Sequence, residues 1–184
     1  GVFSASGSAA LETRSTTVTL ASGETVDTNL LSFGASGLTA FAGVNGPADN
    51  AGAIGIALGG VDFALASFVP ADASRDSSWV SMVATAESVQ LIGVDAVDMT
   101  VENFSVEINS ATNGESVIDY TQTVVEVGTG PDSAISFAFD GQAGEQFSIG
   151  GTVSLRIADF IRAEGSLFLR SQTETVTLDS GDTL

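Results

Sequence analysis

The sequence predicts an all-β chain, and three observations predict it. Short apolar runs alternate with polar residues at period two along most of the length. Twenty-one glycines and only three prolines punctuate those runs. The start of the chain is echoed near its end at a fixed offset, the mark of a modular array.

Taken in order, strands are expected over 17–20, 37–41, 54–58, 61–65, 79–83, 89–91, 97–101, 104–108, 124–127, 135–139, 153–157, 167–169 and 176–178. Residues 45–52, 71–78, 109–116, 128–133 and 140–145 are rich in Gly, Asn, Asp, Pro or Ser and read as loops. Only 158–164 has helical character, and the strands flanking it argue against a helix. The run 89–108 discriminates between β architectures. Val89 and Leu91, then Val97, Met99 and Val101, then Phe104, Val106 and Ile108 point inward, while Asp98, Thr100, Ser105 and Glu107 point outward. The gaps at Ile92-Gly93 and Glu102-Asn103 lack the Asn-Gly, Asp-Gly or Gly-X pairs of two-residue hairpins. They read as tight, non-reversing corners. A β-solenoid or β-roll, with coils about 4.8 Å apart, is therefore the expected architecture. The alternative is a β-sandwich extender module.

The composition bounds the function. Asp and Glu number 23 against five basic residues, giving a net charge of −18. All five are arginine: Arg14, Arg75, Arg156, Arg162 and Arg170. Such a surface repels phosphate backbones and anionic membranes, which excludes nucleic acid as a partner. It suits a salty or calcium-bearing medium, where cations screen or bridge carboxylates. A hydrophobic share of 43% and a mean hydropathy of +0.32 supply a core. No run approaches the ~20 apolar residues of a spanning helix, so membrane insertion is not expected. Without cysteine there is no disulfide framework or thiolate metal site. Without histidine or cysteine there is no Ser-His-Asp or Cys-His nucleophile. Gly-x-Ser-x-Gly, Walker and dinucleotide glycine patterns are also missing. An enzyme is not expected. The chain opens on Gly1 with no basic and apolar leader, so an internal piece or processed product is expected, its export signal lying elsewhere.

The echo is the strongest signal. Residues 1–26 and 159–184 align without a gap at an offset of 158, with eleven of the 26 pairs identical. The identities include Gly7 with Gly165, Ser8 with Ser166, Leu11 with Leu169, and the Thr17-Val-Thr-Leu20 block with Thr175-Val-Thr-Leu178. On this reading the whole chain, 1–184, is one module of a tandem array plus the start of the next. Modules of that kind bury apolar faces against their neighbours, and length grows by repetition.

The block Leu31-Ser-Phe-Gly-Ala-Ser-Gly-Leu-Thr-Ala-Phe-Ala-Gly-Val-Asn-Gly46, the segment Ile56-Ala-Leu-Gly-Gly-Val-Asp-Phe-Ala-Leu-Ala66 and the 158-residue echo give the chain its style. In these it resembles the large tandem-repeat exported surface proteins of bacteria, of the RTX-adhesin and giant surface-protein kind. Of the calcium nonapeptide of RTX proteins it holds only Gly59-Gly60-Val61-Asp62. The resemblance implies an extracellular or cell-surface location, tandem assembly, and a role in a fibre, surface layer or adhesin stalk.

Site candidates follow from the same features. Asp95, Asp98 and Glu102 are close in sequence, as are Asp179 and Asp182; carboxylates so spaced are candidate calcium ligands, against the plainer reading of a solvated acidic face. Trp79 and the phenylalanines read as core before they read as a sugar platform. Inter-module contacts are expected at Thr17, Val18, Leu20, Val176 and Leu178, the echoed strand, and at Arg156, Arg162 and Arg170, which cluster near the end of the period. The arginines either pair locally with Asp159 and Glu164 or face carboxylates of the adjoining module. The expected partners are copies of the chain itself, with extracellular glycans second; calcium is the one cofactor considered.

Overall fold

The computed structural model describes residues 2–172. Among the described residues nine strands form: β1 (Phe3–Thr19), β2 (Thr25–Val44), β3 (Ile54–Pro70), β4 (Trp79–Ile92), β5 (Val97–Ala111), β6 (Glu126–Gly130), β7 (Ser133–Ser136), β8 (Gln146–Ile157) and β9 (Ile161–Gln172). A single 3-10 turn, Gly141–Ala143, is capped by the Asp140 carboxylate, which accepts from the Gln142 N–H. The all-β expectation holds. Seven strands make one antiparallel sheet in the order β1-β2-β3-β4-β5-β8-β9, and β6 and β7 make a separate hairpin.

This is a meander of long reversing strands rather than the stack of short coils expected. The paired segments 54–58 and 61–65, 79–83 and 89–91, and 97–101 and 104–108 are each one continuous strand. What reads as a corner is a slip in the alternation. Opposite the step from Ser6 to Ser8 of β1, β2 runs from Ser36 to Thr39. Opposite the step from Gly150 to Thr152 of β8, β5 runs from Glu102 to Ser105. The slip carries across β3 and β4, which stay in step with each other. β2, β3, β4 and β5 therefore hold one extra residue each, with Gly37 (φ 59°), Gly60 (φ 60°) and Asn103 (φ 51°) at three of these positions. A bulge of this kind resets the period-two phase without turning the chain. Residues 158–160 form the turn into β9, with Ala158 at φ 46°, and not the start of a helix.

The core lies on one face, over one half of the strands. Register places Leu30 beside Phe68 and Phe68 beside Trp79. The connection between β5 and β8, residues 112–145, crosses this face. It lays Ile118, Tyr120, Val125, Val127, Phe137 and Phe139 onto Val18, Leu20, Leu30, Phe68 and Trp79. Tyr120, Phe137 and Phe139 form a ring cluster with centroids 5.1–6.0 Å apart. The cover is also tied to the sheet by its backbone. Ile118 bridges Leu20, and the Asp119 N–H donates to the Thr19 carbonyl at 2.9 Å.

Polar groups trapped under the cover are satisfied in a chain. The Tyr120 hydroxyl donates to Ser81 (2.6 Å), Ser81 to Asn109 (3.0 Å), and the Asn109 amide to the Ile118 carbonyl (3.0 Å). The Trp79 indole N–H donates to the Ser116 carbonyl at 2.9 Å. Arg75 lies over the Trp79 ring and pairs with Glu24 (2.5 Å) and Glu115 (2.8 Å), joining the β1–β2 turn, the β3–β4 loop and the start of the cover.

Two carboxyl groups in this assembly titrate below their ordinary range. For Asp119, burial opposes the charge, but the Thr121 hydroxyl and the Thr121 and Gly141 N–H groups donate to it and outweigh that penalty. For Glu24, the hydrogen bond from Arg75 is the main cause. Because the folded form holds fewer protons than the unfolded one, this stability is complete above the ordinary carboxylate pKa of about 4 and is lost as pH falls through the lowered values.

Two outcomes follow for this half of the molecule. Trp79→Ala is expected to destabilise the chain by about 3–5 kcal/mol in urea denaturation, the range for an emptied aromatic site; a loss under about 1 kcal/mol would mean that Trp79 does not seat the cover. Thermal melting is expected to hold steady from about pH 7 to 5 and to fall below about pH 4. The fall should be shallower in Asp119→Asn; an identical acid profile would remove Asp119 from the account.

Candidate functional site

Once the core is closed, the described residues leave one apolar face uncovered and two strand edges unpaired. The uncovered face is the side of the sheet opposite the cover. It carries Val97, Met99, Val101, Phe104, Val106 and Ile108 of β5, which share one side as the alternation predicts but face away from the core rather than inward. Asp98, Thr100, Ser105 and Glu107 lie on the cover's side with the buried Asn109, because the only layer packed on the sheet among the described residues, 112–145, lies on that side. The bulge row keeps the two halves of each strand apolar on this same side. Phe33 and Phe63 meet edge to face here at 5.0 Å. Leu58, Val89, Val101, Ile149, Val153 and Leu167 line a shallow apolar recess of about 580 Å³. Among the described residues nothing covers this side, and Leu11, Leu31, Ile54, Ile56 and Val69 stand exposed on it. Few free-standing domains expose an apolar surface of this breadth.

The edges are β1 and β9. Each hydrogen-bonds to one neighbour in the sheet, β1 to β2 and β9 to β8. Alternating antiparallel pairs place them in the same direction, first and last of seven. β9 (Ile161–Gln172) stands 158 positions on from residues 3–14 and matches them at four of twelve positions, Ala163, Gly165, Ser166 and Leu169; the other seven identities of the echo fall at 175–183, outside the described residues. Their faces agree as well. Leu11 of β1 and Leu169 of β9 both lie on the uncovered side and are 69% and 60% exposed.

The other expected site residues are distributed as follows. Asp98 and Glu102 lie four residues apart on one strand, about 13 Å at strand rise, and Asp95 is in the turn before it. One cation cannot be held by both ends of that span. Among the described residues no cluster of three or more carboxylates gathers. Asp179, Asp182, Val176 and Leu178 lie outside the described residues. Val18 and Leu20 are 0% and 1% exposed inside the chain's own core, which corrects their reading as inter-module contacts: the segment 112–145, invisible as a cover in the sequence, claims them. The Thr17 hydroxyl donates to Asp27 within the chain. Arg162 pairs with Glu164 at 2.8 Å, the local alternative; Arg156 stands in register between Asp98 and Arg162, and Arg170 opposite Ser148. Trp79 is buried core.

Comparison with protein-family models, curated proteins and solved structures finds no match for the chain. Among the described residues no helix is long and apolar enough to cross a membrane.

If the uncovered face is a contact surface, replacing Leu167 and Leu169 by Asp should alter stability by no more than about 0.5 kcal/mol each. The same change should abolish any concentration-dependent self-association in sedimentation. Association that persists unchanged would take these residues out of the contact.

Proposed function

We propose that the chain is a structural repeat of an extended extracellular protein, a fibre, surface layer or adhesin stalk, in which copies adjoin head to tail. One observation carries this reading. The first part of the 158-residue echo, four identities in twelve positions, falls on the two strands that bound the sheet, which run the same way and, among the described residues, leave opposite sides unpaired. Two edges of that kind invite addition of another strand-bearing unit and are a liability in a free-standing domain. The net charge of −18 supports solubility of a long assembly with little lysine or arginine to bridge it.

The sequence expectation of a solenoid takes a different form in this reading. Neighbouring strands in a sheet rotate by about 20–25°, so a sheet prolonged through many copies winds. The winding belongs to the array and not to the single chain. A sandwich-like partner packed about 10 Å from the uncovered apolar face is the corresponding form of the extender alternative. A calcium- or carbohydrate-binding module is the weaker reading: Asp98 and Glu102 are too far apart to share an ion, and Trp79 offers no ring to a sugar.

Chains carrying one, two and three periods test the proposal by small-angle X-ray scattering. The maximum dimension is expected to grow by a constant increment per period. Growth as the cube root of mass, the behaviour of one compact body, would overturn it.

A further inference from the structure

Within β1, Gly7 is held against β2 more closely than any side chain allows. A Cβ at Gly7 would stand 2.5 Å from the Leu38 Cδ2 and 2.9 Å from the Leu38 Cα, and Gly7 has φ 143°. The backbone contact leaves no room to relax. Gly165 is the same residue 158 positions on, and a Cβ there would meet nothing within 4 Å. One glycine is required by its neighbour; its echo is free of any, although a β-branched residue would suit that exposed strand position better.

We infer that β9 is also the first strand of the following copy, so that successive copies share one continuous antiparallel sheet, and that Gly165 is the socket for Leu38 of that next copy. The inference rests on the repeat reading above and specifies its junction. Three independent features of the fold agree with it. The side of β9 left unpaired by β8 is the side on which β1 receives β2. Residues 166, 168, 170 and 172 share the covered side with 8, 10, 12 and 14, so no side chain changes face on passing from one role to the other. The row of bulges begins at β2 and ends at β5, while β1, β8 and β9 run without the extra residue, so β9 fits between a β8 and a following β2 without a break in phase. Each period then contributes six strands, β1 to β5 and β8, or about 29 Å of sheet at about 4.8 Å per strand.

The junction also accounts for apolar groups left bare. Leu11 pairs with Phe33 across the β1–β2 ladder. Leu169 takes the place of Leu11 and comes to lie beside Phe33 of the next copy. Phe168, 71% exposed, takes the place of Ala10, which lies beside Gly128 of the β6–β7 hairpin. The hairpin of the next copy covers it.

The full chain followed directly by its own residues 27–184 tests this, because β9 is then the shared strand. The protein has no cysteine, so Leu169→Cys combined with Phe33→Cys in the added period is a clean pair. Mild oxidation is expected to link them in most molecules, since facing strand residues lie within disulfide reach. Leu169→Cys with Phe33→Cys of the first period, at the far side of the sheet, is expected not to link. Gly165→Val should leave the melting temperature of the single chain unchanged and lower the linked fraction of the two-period chain at least tenfold. An extended two-period molecule with both periods folded but no link at 169–33 would overturn the shared strand and leave the repeat reading standing. A compact two-period molecule without the link would overturn both. Linking that is indifferent to Gly165→Val would overturn the socket.

Discussion

Trp79, Phe68 and Leu30 stand side by side on one face of a single sheet, and the 34 residues between β5 and β8 lie across them. A lone sheet has no interior. Everything else about the chain depends on this one layer of cover, which converts half of one face into a dry core. It excludes water from an aromatic cluster and encloses a hydrogen-bonded line from Tyr120 through Ser81 and Asn109 to the Ile118 carbonyl. A buried polar line of this kind stabilises only when complete, and among the described residues no buried side-chain polar atom lacks a partner. Arg75, charged against Glu24 and Glu115 at the rim, joins the three loops that meet there.

The cover also divides the molecule into parts with different obligations. The covered half is self-sufficient. The other half of the sheet, toward the Ile157–Ile161 turn, has a polar side bearing Thr152, Ser154 and Arg156 and an apolar side bearing Val153, Leu155 and Ile157. The apolar side continues across all seven strands, and among the described residues no element lies upon it. The two bounding strands share four of twelve residues at the 158-residue offset, Ala5 with Ala163, Gly7 with Gly165, Ser8 with Ser166 and Leu11 with Leu169.

Much of this was legible in the sequence. The strand content, the loops at 45–52, 71–78 and 140–145, and the sharing of one side by Val97, Met99, Val101, Phe104, Val106 and Ile108 all follow from local pattern; that this side faces away from the core does not. The architecture was less so. A bulge at Asn103 or Gly60 breaks the alternation just as a strand end does, so long strands read as pairs of short ones and reversals read as corners. The carboxylates at Asp95, Asp98 and Glu102 looked clustered because sequence distance is not spatial distance on an extended strand.

What the sequence determined by itself is the class of the molecule and the echo between its two ends. Period-two alternation and an offset of 158 residues are properties of order along the chain and need no partner to exist. What only the tertiary structure decided is which apolar residues are core and which are surface. Val18 and Leu169 look alike in the sequence. One is buried because a segment a hundred residues away closes over it, and the other is bare because nothing in the described chain does. Burial is a property of what lies opposite, and long-range pairing sets it.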